Sequence, residues 1–257
     1  MRTALVTGAS SGIGYEFAKL LAAEGFHLVL VARTVAPMTA LAEELEAQHS
    51  IRCHVIEKDL SRPNSARQVF EEVQKKALMP NLLINNAGVG LKGEFTHLDL
   101  ERQIQMMRLN MESLVELTHH FLPTMLARKE GGILNVASTA AFQPGPGMAV
   151  YYATKAFVLS FSEALHEELK EKGVHVTALC PGPTETGFAA AAEMMDSKLF
   201  KMMSKGVSAR AVAQKGLRGI QYNCAVVIAG AMNKFGAFSS KMSPRSWTRK
   251  ITHYLNT

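Results

Sequence analysis

Thr3-Ala4-Leu5-Val6-Thr7-Gly8-Ala9-Ser10-Ser11-Gly12-Ile13-Gly14 passes from an aliphatic strand pattern, through a glycine-rich turn, into a helical pattern. Glycine allows the tight turn and lets a ligand approach the backbone closely. The helix start beyond it offers unpaired N–H groups and a positive dipole end, which together suit a pyrophosphate. Glycines also serve ordinary turns. The position of this turn, after the first strand and before the first helix, favours a dinucleotide site.

Working outward, short aliphatic runs at 3–7, 27–32, 51–57, 81–85, 132–137, 174–179 and 225–229 read as strands. Helical patterns lie between them at about 12–24, 36–48, 63–76, 98–128, 151–171 and 208–220, the fourth long enough for two helices. Runs such as Leu28-Val29-Leu30-Val31 are apolar throughout, as expected where both faces of a sheet are covered. This alternation predicts an α/β fold: one Rossmann-type, doubly wound parallel sheet flanked by helices, in a single domain over 1–257. The stretch 183–206 breaks the pattern and reads as an excursion, with a small lid at about 184–206. A helical C-terminal extension is expected at about 231–257.

The chain has 257 residues, 47% of them apolar, which excludes a disordered or low-complexity scaffold. Its net charge of +6 is unevenly placed. Residues 1–197 carry 17 basic and 22 acidic side chains, whereas 198–257 carry 11 basic and no acidic ones. An anionic partner must therefore be sought at the last segment. Cys53, Cys180 and Cys224 are odd in number and lack metal or disulfide spacing, which favours a reducing compartment. The first residues lack the features of a signal peptide, and Ala225–Met232 is too short to span a bilayer. A soluble, cytoplasmic protein is expected.

In doubly wound sheets ligands bind beyond the carboxyl ends of the strands. The second strand ends in Val31-Ala32-Arg33-Thr34. An acidic residue there would bind the ribose 2′-hydroxyl of NAD. Arg33 instead can fork onto a 2′-phosphate, so NADP(H) is preferred over NAD(H), unless Arg33 is only a solvated strand-end side chain. Asp59-Leu60, after the third strand, is placed to border the adenine, and Asp59 could equally cap the next helix.

Val150-Tyr151-Tyr152-Ala153-Thr154-Lys155 opens a helical stretch, and residues four apart share a face, so Tyr151 and Lys155 project together. A cation beside a tyrosine favours its phenolate and suits it to acid–base work. Tyr152, three residues from Lys155, is a rival on spacing alone. An amphipathic helix start would explain the same residues without chemistry.

These residues resemble a known family. The Gly8/Gly12/Gly14 turn, Asn85-Asn86-Ala87-Gly88, Asn110, Ser138, Tyr151/Lys155 and Pro181-Gly182 occur in the order found in short-chain dehydrogenases/reductases. The likeness covers about the first 190 residues and looks like the family's shorter, soluble branch. More loosely, the chain is similar to the subgroup of DltE-like oxidoreductases and the 3-ketoacyl-CoA and 17β-hydroxysteroid reductases. The resemblance implies carbonyl/alcohol interconversion by hydride transfer, with Tyr151 as general acid/base, Ser138 binding the same oxygen, and Lys155 tuning Tyr151 and holding the ribose. It implies that Asn110 anchors a water reaching Lys155. Asn86, Ala87, Gly88, Pro181, Gly182 and Thr184 are implied as cofactor contacts, beside Gly8, Ser10, Ser11, Gly12, Ile13 and Gly14. Each has a plainer reading as well: Ser138 or Thr139 as a strand-end hydroxyl, Asn110 as a helix cap, Asn85 and Asn86 as backbone braces.

A substrate pocket is expected from Ser138, Phe142, Met148, Tyr151 and Phe188, lined by the apolar 139–150 and by the Met- and Phe-rich segment after Pro181. His119-His120 lacks partners at metal spacing, so no metal is expected. The tail carries Lys241, Arg245, Arg249 and Lys250, with Trp247, Ile251, Tyr254 and Leu255 at helical spacing. It is expected to cap its own domain, docking on an anionic membrane being the alternative. No nucleic-acid motif accompanies it. The resemblance also implies a homodimer or homotetramer through 98–128 and 151–171.

Overall fold

Strand Thr3–Thr7 (β1) pairs in parallel with His27–Ala32 (β2) on one side and with Leu82–Asn85 (β4) on the other. The computed structural model describes residues 2–186 and 207–256. Cys53–Glu57 (β3), Gly131–Val136 (β5), Val174–Pro181 (β6) and Val226–Ala229 (β9) complete a seven-stranded sheet ordered β3-β2-β1-β4-β5-β6-β9, every pair parallel. Thr184–Glu185 (β7) and Val207–Ser208 (β8) form a separate two-stranded pair that flanks residues 187–206. Most of the expected lid, including Phe188, therefore lies outside the described residues.

The apolar runs are buried on both faces because their alternate residues serve two cores. Ala4 and Val6 point into the layer holding Gly12–Ala23 (α1), Val35–Gln48 (α2) and Ala209–Gln221 (α7). Leu5 points to the opposite layer, built on Ser65–Lys75 (α3), Ser113–Arg128 (α5) and Ala149–Leu169 (α6). Strand order reverses between β1 and β4, and that switch point opens a crevice at their carboxyl ends. Gly8 and Asn86 stand there.

Two of the plainer readings are excluded. The stretch 98–128 holds Leu100–Met107 (α4) and α5 joined by a π-helical turn, Arg108–Glu112, so Asn110 lies within a continuous helical path and caps nothing. Asp59 does not cap α3, whose cap position is Asn64. Its carboxylate instead accepts from the Ser61 amide at 3.0 Å and hydroxyl at 2.7 Å, bracing the turn after β3.

The C-terminal extension is two helices, Ala231–Met242 (α8) and Arg245–Asn256 (α9). Among the described residues of α8, Asn233 and Ala237 are buried. Asn233 donates to the Ala229 carbonyl at 2.6 Å and fills the space where a side chain at Gly182 would lie. In α9 the buried residues are Thr248, Thr252 and Asn256, while Trp247, Ile251 and Tyr254 face outward. Of the apolar stripe, only Leu255 is half-buried, and Arg245, Arg249 and Lys250 are exposed.

Candidate active site

The glycine turn is built by contacts to β4. The Thr7 hydroxyl donates to the Ile84 carbonyl and accepts from the amides of Asn86 and Ala87. The Asn86 side chain donates to the carbonyls of Thr7 and Gly8, at 2.9 and 3.3 Å. Gly8 and Gly12 have φ of 66° and 58°, in the left-handed region that disfavours other side chains. A Cβ on Gly14 would lie 2.2 Å from the Gly8 carbonyl oxygen, so α1 can start under the turn only with glycine there. Asn85 instead turns into the core, donating to Thr118 and Asn135, and Asn135 donates on to Ser162.

Beyond the turn lies a cavity of about 440 Å³. Its walls include Gly8, Ser10, Ser11, Gly12 and Ile13 at one end, Arg33, Lys58, Asp59 and Leu60 to the side, and Asn86, Ala87 and Gly88 along the floor. Ser138, Tyr151, Lys155, Pro181, Gly182 and Thr184 close the far end. These sequence-predicted residues thus meet in one cleft. Gly14 and Asn110 sit just behind it: Asn110 accepts from the Val89 amide and donates to the Val89 carbonyl and to Thr154. Its side chain holds the loop after β4 against α6.

The cleft fits a dinucleotide on its own features. Helix α1 has no side-chain cap and no acidic residue in its first turn, so its N–H groups face the cavity without a competing anion. Arg33 is exposed at the rim. Burial raises the Asp59 carboxyl, but the Ser61 bonds, Arg33 and Arg62 outweigh it and hold it below the usual carboxylate range. A Cβ on Gly88 would meet the Asn110 oxygen at 3.2 Å and the Lys155 ammonium at 3.3 Å, so glycine keeps the floor low.

The two tyrosines are sorted by their hydroxyl partners. Tyr151 lies beside the Ser138 hydroxyl in the cavity that both line. The Tyr152 hydroxyl donates to Asn256 of α9 at 3.2 Å. Burial pushes the Tyr151 phenol up, and the Ser138 hydroxyl opposes that rise. The expected tuning by Lys155 is not the governing influence: Nζ lies 5.9 Å from the Tyr151 ring centre and donates to the Val136 carbonyl at 2.9 Å. Lys155 is itself only 5% exposed, and burial lowers its ammonium from 10.5 to about 8.

That depression gives a signed prediction. Between about pH 8 and 10.5 the unfolded chain holds a proton that folded Lys155 has released. The burial cost is fully present below that window and is relieved as pH rises through it. In urea titrations of cofactor-free protein, wild type gains on Lys155→Met by up to about 3 kcal/mol across the window. A constant difference would contradict the depressed value.

The substrate end departs from expectation. Met148 is 1% exposed and packs beneath Tyr151 and Tyr152, because the apolar chain turns inward as α6 begins. Phe142 is partly buried against the cluster containing Val158 and Cys180 and does not line the cavity. Gln143, Tyr152 and Thr139 do line it, and so does Thr186, whose methyl carbon would meet a Cβ on Gly12 at 3.1 Å. The alternation Thr184, Thr186 was the sequence signal for a second threonine on one side of an extended segment. Asn256 holds this end from outside, donating to the Pro146 carbonyl at 2.9 Å while accepting from Tyr152. Asn256→Ala should therefore cost about 1–3 kcal/mol in urea unfolding. A loss near zero would show that these bonds contribute nothing.

Among the described residues no three His, Cys, Asp or Glu side chains gather as metal ligands. His120 stacks on Phe70 at 4.9 Å.

A parallel sheet with its order reversed over a glycine turn, and a cleft running from that turn to a buried tyrosine and lysine, defines a dinucleotide-binding domain. More narrowly, the chain belongs to the short chain dehydrogenase family, which its residues 2–197 match. Sulfoacetaldehyde reductase 2 of Chromohalobacter salexigens is 37% identical over 186 residues, covering 72% of this chain and 73% of that protein. A very-long-chain 3-oxoacyl-CoA reductase of Laccaria bicolor is 35% identical over 178 residues, 68% of this chain. The match spans only 53%, about half, of that relative's length. A short-chain dehydrogenase from Sphingobium yanoikuyae in complex with NADPH has a TM-score of 0.83 at 31% identity, with 94% of each chain covered.

Proposed function

We propose that the protein interconverts a carbonyl and an alcohol on an apolar small molecule, with NADP(H) preferred over NAD(H). The observation that carries this reading is that Ser138, Tyr151 and Lys155 line one cleft with the glycine turn. The N–H groups of α1, with Ser10, Ser11, Gly12 and Ile13, bind a pyrophosphate. Arg33 takes the 2′-phosphate, and Asp59 and Leu60 border the adenine. Asn86, Ala87 and Gly88 support the middle of the cofactor, and Pro181, Gly182, Thr184 and Thr186 its nicotinamide end. A nicotinamide held there would supply or accept the hydride at the substrate carbon. Metal plays no part in this reading.

Around that exchange the protein orients the substrate and moves one proton. The Ser138 hydroxyl donates to the carbonyl oxygen and stabilises the charge that develops there. The Tyr151 hydroxyl gives its proton to the same oxygen in reduction and takes it back in oxidation. Burial favours the protonated phenol, the form needed for reduction. Lys155 turns from Val136 toward the ribose hydroxyls, and Asn110 holds the loop and helix that carry the proton path. Substrate enters beside Ser138, Tyr152 and Gln143.

A cytoplasmic setting is supported by three cysteines that form no disulfide, and among the described residues no helix is long and apolar enough to cross a membrane. A homodimer or homotetramer through α5 and α6 is supported by the stacked Phe157 and Phe161 on α6, Phe157 being 40% exposed. The reading is tested by following NADPH absorbance with a panel of aryl ketones, long-chain aldehydes and 3-ketoacyl thioesters. It expects consumption with at least one class. Tight NADPH binding with no consumption by any would reject it in favour of a cofactor sensor.

A further inference from the structure

Helix α9 is mounted the wrong way round for a helix facing only water. Its Thr248, Thr252 and Asn256 are 2–6% exposed, whereas Trp247, Ile251 and Tyr254 are 57–66% exposed. Helix α8 shows the same habit, with Met232, Phe235, Phe238 and Met242 at 65–75%. At 100° per residue these four fall on one face of α8, and the outward residues of α9 fall on one face of that helix. Of the twelve exposed large hydrophobic residues among the described ones, seven lie on these two consecutive helices. Such concentration marks an interaction surface.

Charge selects the occupant. Lys234, Arg245, Arg249 and Lys250 are exposed on the same helices, and no acidic residue occurs anywhere in 198–257. A second copy docked face to face would set these cations against their own images with no local carboxylate to meet them. Methionines and aromatic rings on helices whose only charged side chains are cations, with Trp and Tyr among them and Lys250 beside the outward face of α9, suit the boundary between anionic headgroups and acyl chains. We propose that α8 and α9 dock the folded enzyme on the surface of an anionic phospholipid bilayer. The platform adjoins the substrate end of the cleft: Ser240 of α8 donates to Gln143, and Asn256 of α9 contacts Tyr152 and Pro146. A bilayer there would deliver an apolar substrate beside Tyr151.

The test uses the full chain without substrate, so its outcome is separate from that of the catalytic reading. Vesicles of phosphatidylcholine alone, and with roughly a third phosphatidylserine, are sedimented with the protein. Trp247 is the only tryptophan, so its emission reports on the platform directly. Phosphatidylserine vesicles should carry the protein down and shift Trp247 emission to shorter wavelength, and added salt should weaken both. Arg249→Glu/Lys250→Glu should lower the partition coefficient at least about tenfold. Phe235→Ser/Phe238→Ser, at exposed positions, should do the same while the far-UV spectrum is unchanged. No pelleting, equal pelleting with phosphatidylcholine alone, or pelleting with unshifted Trp247 emission would overturn the proposal. So would a dimer in sedimentation velocity that Phe235→Ser/Phe238→Ser disperses, which would give the face to a second copy.

Discussion

Tyr151→Phe should lower kcat by about 10³-fold while leaving NADPH affinity within a few-fold of wild type. The substitution keeps the ring in its place between Met148 and Tyr152 and removes only the hydroxyl that meets Ser138. Tyr152→Phe is the matched control. It removes the bond to Asn256, outside the reacting end, and should cost about 1 kcal/mol of stability with turnover retained. Steady-state kinetics and cofactor titration on the two variants separate the roles. Survival of activity in Tyr151→Phe with its loss in Tyr152→Phe would reverse the assignment.

Arg33→Asp should shift the ratio of NADPH to NADH affinity by about 10³-fold toward NADH, some 4 kcal/mol. The guanidinium stands exposed at the cavity rim, close enough to Asp59 to hold its carboxyl down. A carboxylate in its place loses a bidentate phosphate partner and adds repulsion toward the 2′-phosphate. It also leaves Asp59 with Arg62 as its neighbouring cation and gains a partner for a free 2′-hydroxyl. Equal losses for the two cofactors in fluorescence titrations would remove Arg33 from phosphate recognition.

What was legible in the sequence was what the chain encodes locally. The Gly8–Gly14 turn, Arg33 and Asn86-Ala87-Gly88 follow strand ends, and a parallel sheet brings all such ends to one edge, so they fall together in the cleft. Helical spacing put both Tyr151 and Tyr152 near Lys155, and only the family resemblance favoured Tyr151. The misread features depend on contacts between distant segments. Met148 looked like a pocket residue because it is apolar and near Tyr151, yet the entry into α6 turns it beneath that ring. Thr186 joins the cleft because β7 and β8 hold the segment after Pro181 over Gly12. Asn256 reaches Tyr152 and Pro146 across more than a hundred residues, which no local pattern announces. The outward apolar face of α9 departs from the usual rule for surface helices: Thr248, Thr252 and Asn256 are its buried residues, and Asn256 bonds to Tyr152 and Pro146.

Hydride transfer to a substrate carbon is the central claim, and isotope transfer tests it most directly. Wild-type protein is incubated with NADPH carrying two deuterium atoms at the nicotinamide C4 and with a ketone that supports turnover, and the product alcohol is weighed by mass spectrometry. The account predicts one deuterium per alcohol, on the carbinol carbon, formed in step with NADPH oxidation. NADPH oxidised without deuterium reaching the alcohol, or bound and never oxidised, would contradict it.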